Sequence, residues 1–152
     1  MQKGWSFQKD DWDKLPKALL SASWKQAKFN SQEEKLIPAT PGIYMFVTSI
    51  PLPASNRLKD IKSPIYIGIS LNLKERFKQH IGIQGNGHTG LLEARTCFGS
   101  NLDFLFLKIE NQDNLKPIEQ LLFNCFGPVV NKINSIKEGQ PIAVSFGKEE
   151  RL

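Results

Sequence analysis

Gly42-Ile43-Tyr44-Met45-Phe46-Val47-Thr48 and Ile65-Tyr66-Ile67-Gly68-Ile69-Ser70 decide how this chain folds. Both runs alternate: Ile43, Met45 and Val47 are interleaved with Tyr44, Phe46 and Thr48, and Ile65, Ile67 and Ile69 with Tyr66, Gly68 and Ser70. Successive side chains of a strand point to opposite faces. Each run therefore predicts a strand with an aliphatic trio on one face and its tyrosine on the other, and a hairpin of the two would bring both phenols onto one face of a sheet. The connection, residues 49–64, contains Pro51, Pro53 and Pro64. It is too long for a tight turn and predicts an exposed excursion.

Downstream, Asn72 is placed to cap a helix, with Glu75 three residues on as in a capping box, and Leu73, Phe77 and Ile81 form the apolar stripe. At about 100° per residue, Arg76 and His80 fall side by side at the edge of that stripe, while Lys74, Glu75, Lys78 and Gln79 point away. Gly82, Gly85, Gly87 and Gly90 break the pattern. A short helix over 89–96 and a largely buried third strand over 102–109 are expected next. From Ile118, the positions Leu121, Leu122, Cys125 and Phe126 follow helical spacing, with Pro117 in the first turn and Gly127-Pro128 as the stop. Glu119 borders that stripe.

Upstream, residues 1–37 lean towards helix, since Trp12, Leu15 and Leu19 recur at helical spacing behind Asp10 and Asp11. Pro16 fits only within a first turn. The aromatic residues of this arm, Trp5, Phe7, Trp12, Trp24 and Phe29, are expected to dock it onto the core, because aromatic side chains dominate apolar burial. The expected organisation is thus an N-terminal helical arm (1–37), one core domain (38–136) and a tail (137–152) in which residues 142–146 would add an edge strand. A chain of 152 residues, 40% hydrophobic, suits one such domain and is short for two.

The net charge of +5 is unevenly spread. Residues 57–80 hold six basic side chains against two acidic ones, so Arg57, Lys59, Lys62, Lys74, Arg76 and Lys78 supply nearly all of the excess. That is the footprint of a polyanion-binding rim, or of a solvated lysine-rich face. Cys97 and Cys125 belong to no CxxC or zinc-spaced cluster, which favours reduced, buried thiols over a metal site. The first ten residues are polar and no run of about 18 apolar residues occurs. A cytoplasmic protein is the expectation.

Singly, these residues are ordinary: strands contain tyrosines, helices tolerate glutamate in the first turn, and an Arg/His pair on a helix is commonly solvated. In combination they resemble the GIY-YIG nucleases. Pro41-Gly42-Ile43-Tyr44 matches the first family tripeptide and Ile65-Tyr66-Ile67-Gly68 the second. Leu73, Arg76, Phe77 and His80 match the family's first helix, Glu119 its metal-binding glutamate, and Pro128-Val129-Val130-Asn131 its terminal P-x-x-N element. The resemblance spans roughly residues 40–133.

It implies an α/β (α+β) GIY-YIG fold, with a central three-stranded antiparallel sheet flanked by helices and a metal-dependent endonuclease that hydrolyses DNA. Glu119 would hold one divalent cation, Mg²⁺ or Mn²⁺, and Arg76 would grip the phosphate. Tyr44 would act as general base, with Tyr66 and His80 positioning the water and sharing its proton. Gly68 would admit the substrate backbone, Asn131 would buttress the site, and Arg57, Lys59, Lys62, Lys74 and Lys78 would line the DNA path. One carboxylate at the site agrees with one metal, since two-metal nucleases need a cluster of acidic ligands. The connection between the tripeptides exceeds the family's minimal turn and no separate targeting domain is evident, so specificity would fall to loops, the arm, a homodimer or a separate partner. Two other readings remain open, a nucleic-acid-binding protein that retains the fold without catalysis and a protein-interaction domain.

Overall fold

A computed structural model of the chain describes residues 8–49, 55–82 and 99–127, with the side chains of Leu58, Lys59 and Ser100 excepted. The short helices α1 (Lys9–Trp12) and α2 (Lys17–Ser21) lead into strand β1 (Lys25–Lys28) and a 3-10 turn (Ser31–Leu36). Strands β2 (Gly42–Ser49) and β3 (Lys62–Ser70) follow, then helix α3 (Leu73–Gly82), strand β4 (Leu102–Lys108) and helix α4 (Leu115–Phe126). The strands form one antiparallel sheet in the order β1-β4-β2-β3, so the expected three-stranded sheet is present and β1 extends it.

Register assigns the faces. Tyr44 lies opposite Gly68 and Phe106, and Phe46 opposite Tyr66 and Phe104, so these six share one face. Helix α3 covers it, burying Leu73 and Phe77 beside Tyr44, Phe46, Phe104 and Phe106. The other face carries Ile43, Met45, Val47 and Ile67, packed against Ile118, Leu121, Leu122 and Cys125 of α4 and against Leu15 and Leu19 of the arm. Each aliphatic side chain buried there stabilises the fold by about 1.5–3 kcal/mol relative to exposure.

Four details differ from the sequence reading. Among the described residues of the arm, from 8 on, α-helix is confined to α1 and α2; Lys25–Lys28 is a strand, held by pairing with β4 rather than by a pattern of its own. Ile65, expected on the aliphatic face with Ile67 and Ile69, joins the tyrosine-side cluster, because the β2/β3 register shifts between Phe46 and Val47 and a bulge reverses the alternation. Asn72 Oδ1 accepts from the Glu75 N–H at 3.1 Å as expected, but Ser70 Oγ takes the Asn72 N–H at 3.0 Å, and Glu75 turns to Lys78 at 3.2 Å. Helix α4 starts at Leu115, after Asn111 Oδ1 accepts from the Asp113 N–H at 3.1 Å, which puts Glu119 just beyond the first turn.

The stops and starts otherwise follow local chemistry. Pro16 stands immediately before α2 with φ −58°. Gly127 ends α4 in the left-handed region, φ +48°, with its N–H on the Phe123 carbonyl at 2.8 Å. Residues 89–96, 137–152 and 142–146, together with His88, Cys97 and Asn131, lie outside the described residues. Among those described, Cys125 is fully buried and no helix is long and apolar enough to cross a membrane.

Candidate active site

The two motif glycines are needed for packing. A Cβ at Gly68 would stand 2.5 Å from Cζ and from Oη of Tyr44, so the place of a side chain there is taken by the Tyr44 ring, not by a substrate backbone. A Cβ at Gly42 would meet the Leu107 carbonyl oxygen at 2.4 Å and Leu73 Cδ1 at 2.5 Å; its absence lets α3 sit down on the sheet. Leu73 is fixed in turn by its N–H on the Thr40 carbonyl at 3.0 Å. One turn and three residues further, α3 presents His80 to the tyrosines.

Tyr44 is 1% exposed, and its hydroxyl is 2.9 Å from Nε2 of His80, itself buried. Tyr66 stacks beside it, ring centroids 6.0 Å apart and planes inclined by 24°. Phe46 closes the floor, edge-on to His80 at 5.3 Å and 88° and to Tyr66 at 6.1 Å and 65°. Burial first, then the charge of Tyr66, pushes the Tyr44 phenol well above its ordinary value, and the Arg76 guanidinium pulls it down without prevailing. Tyr66 is raised as well, chiefly by burial, while its hydrogen bond with Tyr44 lowers it. Tyr66 is only partly buried and is therefore the phenol that meets solvent.

Glu119 reaches the same place from the other side of the sheet. Helix α4 packs on the aliphatic face, yet the negative charge of Glu119 is felt by both phenols, as is the positive charge of Arg76 from α3. Helices α3 and α4, which carry Arg76 and Glu119, thus cover opposite faces of a sheet whose outer described strand is β3. Burial raises the Glu119 carboxyl above its ordinary value, and Lys116 lowers it. Among the described residues no cluster of three or more His, Cys, Asp or Glu side chains exists. A single partly desolvated carboxylate with no ion-pair partner among those residues fits a hard cation that keeps most of its waters, as Mg²⁺ does.

The structure holds Tyr44, Tyr66 and His80 in contact and sets the charges of Arg76 and Glu119 within electrostatic reach of the two phenols. Of the expected DNA-path cations, Lys62 and Lys78 have acidic partners. Lys62 lies on the aliphatic face, 3.7 Å from buried Asp103, which also has Lys28 at 3.1 Å and the Gln26 amide at 2.8 Å. Lys78 is paired with Glu34 at 3.4 Å and Glu75 at 3.2 Å. Lys74 is half-buried on α3, Arg57 is exposed in the 3-10 turn Arg57–Asp60, and only the backbone of Lys59 is described. Lys116 escaped the sequence reading; its signal was its position one helical turn before Glu119.

No family model matches the chain, and no curated protein does. Among solved structures it is similar to the GIY-YIG N-terminal endonuclease domain of UvrC from Thermotoga maritima bound to its catalytic divalent cation, magnesium: 19% identity and a TM-score of 0.46 over 66% of this chain and 92% of that one. Two point mutants of that domain, each bound to its catalytic divalent cation, match alike. One has 19% identity and a TM-score of 0.46 over 66% of this chain and 91% of its own, the other 18% and 0.45 over 65% and 90%.

Proposed function

We propose that this chain is a GIY-YIG endonuclease that hydrolyses DNA phosphodiester bonds with one divalent cation. The observation that carries the reading is the buried Tyr44–His80 pair beside Tyr66, with the charges of Arg76 and Glu119 acting on both phenols from helices on opposite faces of the sheet. No packing requirement explains a buried phenol–imidazole pair flanked by a desolvated carboxylate and an exposed guanidinium.

Glu119 would hold the cation, Mg²⁺ or Mn²⁺, which when bound supplies Lewis acidity at the scissile phosphate and offsets charge on the leaving oxygen. Arg76 would bind the non-bridging oxygens, where its planar fork matches the charge that develops. Tyr44 is too deeply buried to take a proton from water directly. Tyr66, at the solvent side, orients the attacking water, and the proton moves along the chain of rings. As the water oxygen bonds to phosphorus and the bond to the leaving oxygen breaks, the water's proton passes to Tyr66, the Tyr66 proton to Tyr44, and the Tyr44 proton to Nε2 of His80. Hydroxyl hydrogens rotate, so the pair can be polarised this way. His80 ends as the imidazolium, the one side chain of the three whose unperturbed pKa, about 6.5, lies near neutrality. Tyr44 thus keeps its part in general-base catalysis as a relay.

The test is nicking of supercoiled plasmid, with single-stranded DNA and RNA as parallel substrates. Cleavage of DNA in Mg²⁺ or Mn²⁺ and none in EDTA is the expected result. Full activity in EDTA from a nuclease-free preparation, or binding without cleavage under every metal condition, would overturn the reading.

A further inference from the structure

We propose that Lys116 is a substrate-binding residue that takes a DNA phosphate adjacent to the scissile one, from the side of the cleft opposite Arg76. The inference rests on the nuclease reading above and adds to it a contact that the motifs do not contain.

Lys116 and Glu119 are three residues apart on α4, so their side chains lie on one side of the helix. Lys116 is exposed, whereas Glu119 is half-buried, which sets the ammonium on the solvent side of the carboxylate. The positive charge of Lys116 acts on Glu119. Among the described residues Lys116 forms no ion pair, in contrast to Lys9, Lys14, Lys28, Lys62, Lys78 and Lys108.

That placement works against a bare metal site. An ammonium beside the one carboxylate available to a cation repels that cation and weakens its binding. The arrangement becomes favourable when an anion is present, because a phosphate takes the ammonium and leaves Glu119 to the metal. Helix α3, which carries Arg76, packs on the tyrosine face and α4, which carries Lys116, on the aliphatic face, so the two cations belong to opposite faces of the sheet whose outer described strand is β3. A DNA backbone lying along the edge of that strand meets both. The scissile phosphate belongs to Arg76, which also acts on the two phenols, and a neighbouring phosphate falls to Lys116.

The experiment is equilibrium binding of duplex DNA to the full chain in EDTA, across a salt series, for wild type, Lys116→Gln, Lys116→Arg and Lys78→Gln. Lys116→Gln should reduce the log–log salt slope by about 0.9. Lys116→Arg and Lys78→Gln should leave it unchanged, the latter because Lys78 is already paired with two glutamates. In the DNA-free protein, Lys116→Gln should tighten Mg²⁺ binding several-fold, and under turnover it should raise KM more than it lowers kcat. An undiminished slope in Lys116→Gln, or unchanged Mg²⁺ affinity, overturns the assignment even if wild type cuts DNA. A wild-type protein that neither binds nor cuts DNA overturns the nuclease reading and this contact together.

Discussion

Strands β2 and β3 serve two regions that share every backbone atom and little else. On one face Ile43, Met45, Val47 and Ile67 meet α4 and the arm through apolar packing. On the other, Tyr44, Phe46 and Tyr66 surround His80 with ring contacts at 5.3 to 5.9 Å and one hydrogen bond of 2.9 Å. The first face tolerates apolar side chains of similar volume, since burial is non-directional. The second depends on particular atoms. Period-two alternation therefore lets one hairpin separate stability from chemistry, and each substitution below asks whether that separation holds.

The largest effect is expected at Glu119, the one group that crosses from the stabilising side to the chemical one. Glu119→Gln keeps the shape but binds a hard cation poorly, and should lower the single-turnover rate about a thousandfold, roughly 4 kcal/mol, at unchanged thermal stability. Retention of most of the rate would make Glu119 an ordinary helix residue. The same carboxyl sets an acid limit. Its value is raised by burial, and only the carboxylate binds metal, so Mg²⁺ binding should fade on acidification at a pH above the ordinary carboxylate midpoint. A titration of Mg²⁺ affinity that follows an unperturbed carboxylate would contradict the desolvation.

Next in size is a loss confined to the hydrocarbon face. Ile118 is 1% exposed in the α4 cluster. Ile118→Ala should cost about 3 kcal/mol of unfolding free energy, within the 2–5 kcal/mol usual for such truncations, and leave kcat unchanged well below the melting temperature. A fall in kcat in the folded variant would show that the two faces are coupled.

On the aromatic face the expected loss is in rate. Tyr44→Phe interrupts the relay between Tyr66 and His80 and should slow cleavage about a hundredfold, the lower end for general acid–base groups. The rise of rate with pH should disappear with it. Gly68→Ala tests the same ring without touching its hydroxyl, because the new Cβ would lie 2.5 Å from the Tyr44 phenol and displace it. Its loss should resemble that of Tyr44→Phe, and Tyr66→Phe, which removes the relay's first proton acceptor, should lose rate and pH dependence to a similar extent. A Tyr44→Phe variant with the wild-type pH profile would exclude the relay.

Much of this was legible because the signals are local. Alternation marked β2 and β3, and the Asn72 cap and apolar stripe marked α3, since a side-chain acceptor and a 3.6-residue period lie within a few residues of each other. Strand β1 was illegible: Lys25-Gln26-Ala27-Lys28 contains one apolar residue, Ala27, and becomes a strand through pairing with residues some 77 positions away, as between Ala27 and Phe104. Gly68 was read as an opening for substrate because a sequence does not show which ring fills the space a glycine leaves. Tyr44, Tyr66 and His80 were legible as members of a motif, whereas the burial of Tyr44, on which the proposed relay rests, arises only when α3 closes over the sheet.

Charge gives the smallest and most discriminating test, because composition had grouped lysines that the sheet separates. Lys62 lies in the basic stretch 57–80, yet its ammonium is on the hydrocarbon face, 3.7 Å from Asp103. Lys62→Gln leaves Asp103 its contacts with Lys28 at 3.1 Å and Gln26 at 2.8 Å. The pair is partly exposed on the lysine side, so its loss should cost no more than about 1 kcal/mol of stability. The salt slope of DNA binding should stay at the wild-type value. A slope reduced by about 0.9 would place Lys62 against a phosphate. The DNA path would then wrap onto the aliphatic face, and the division between a face for stability and a face for chemistry would fail at its edge.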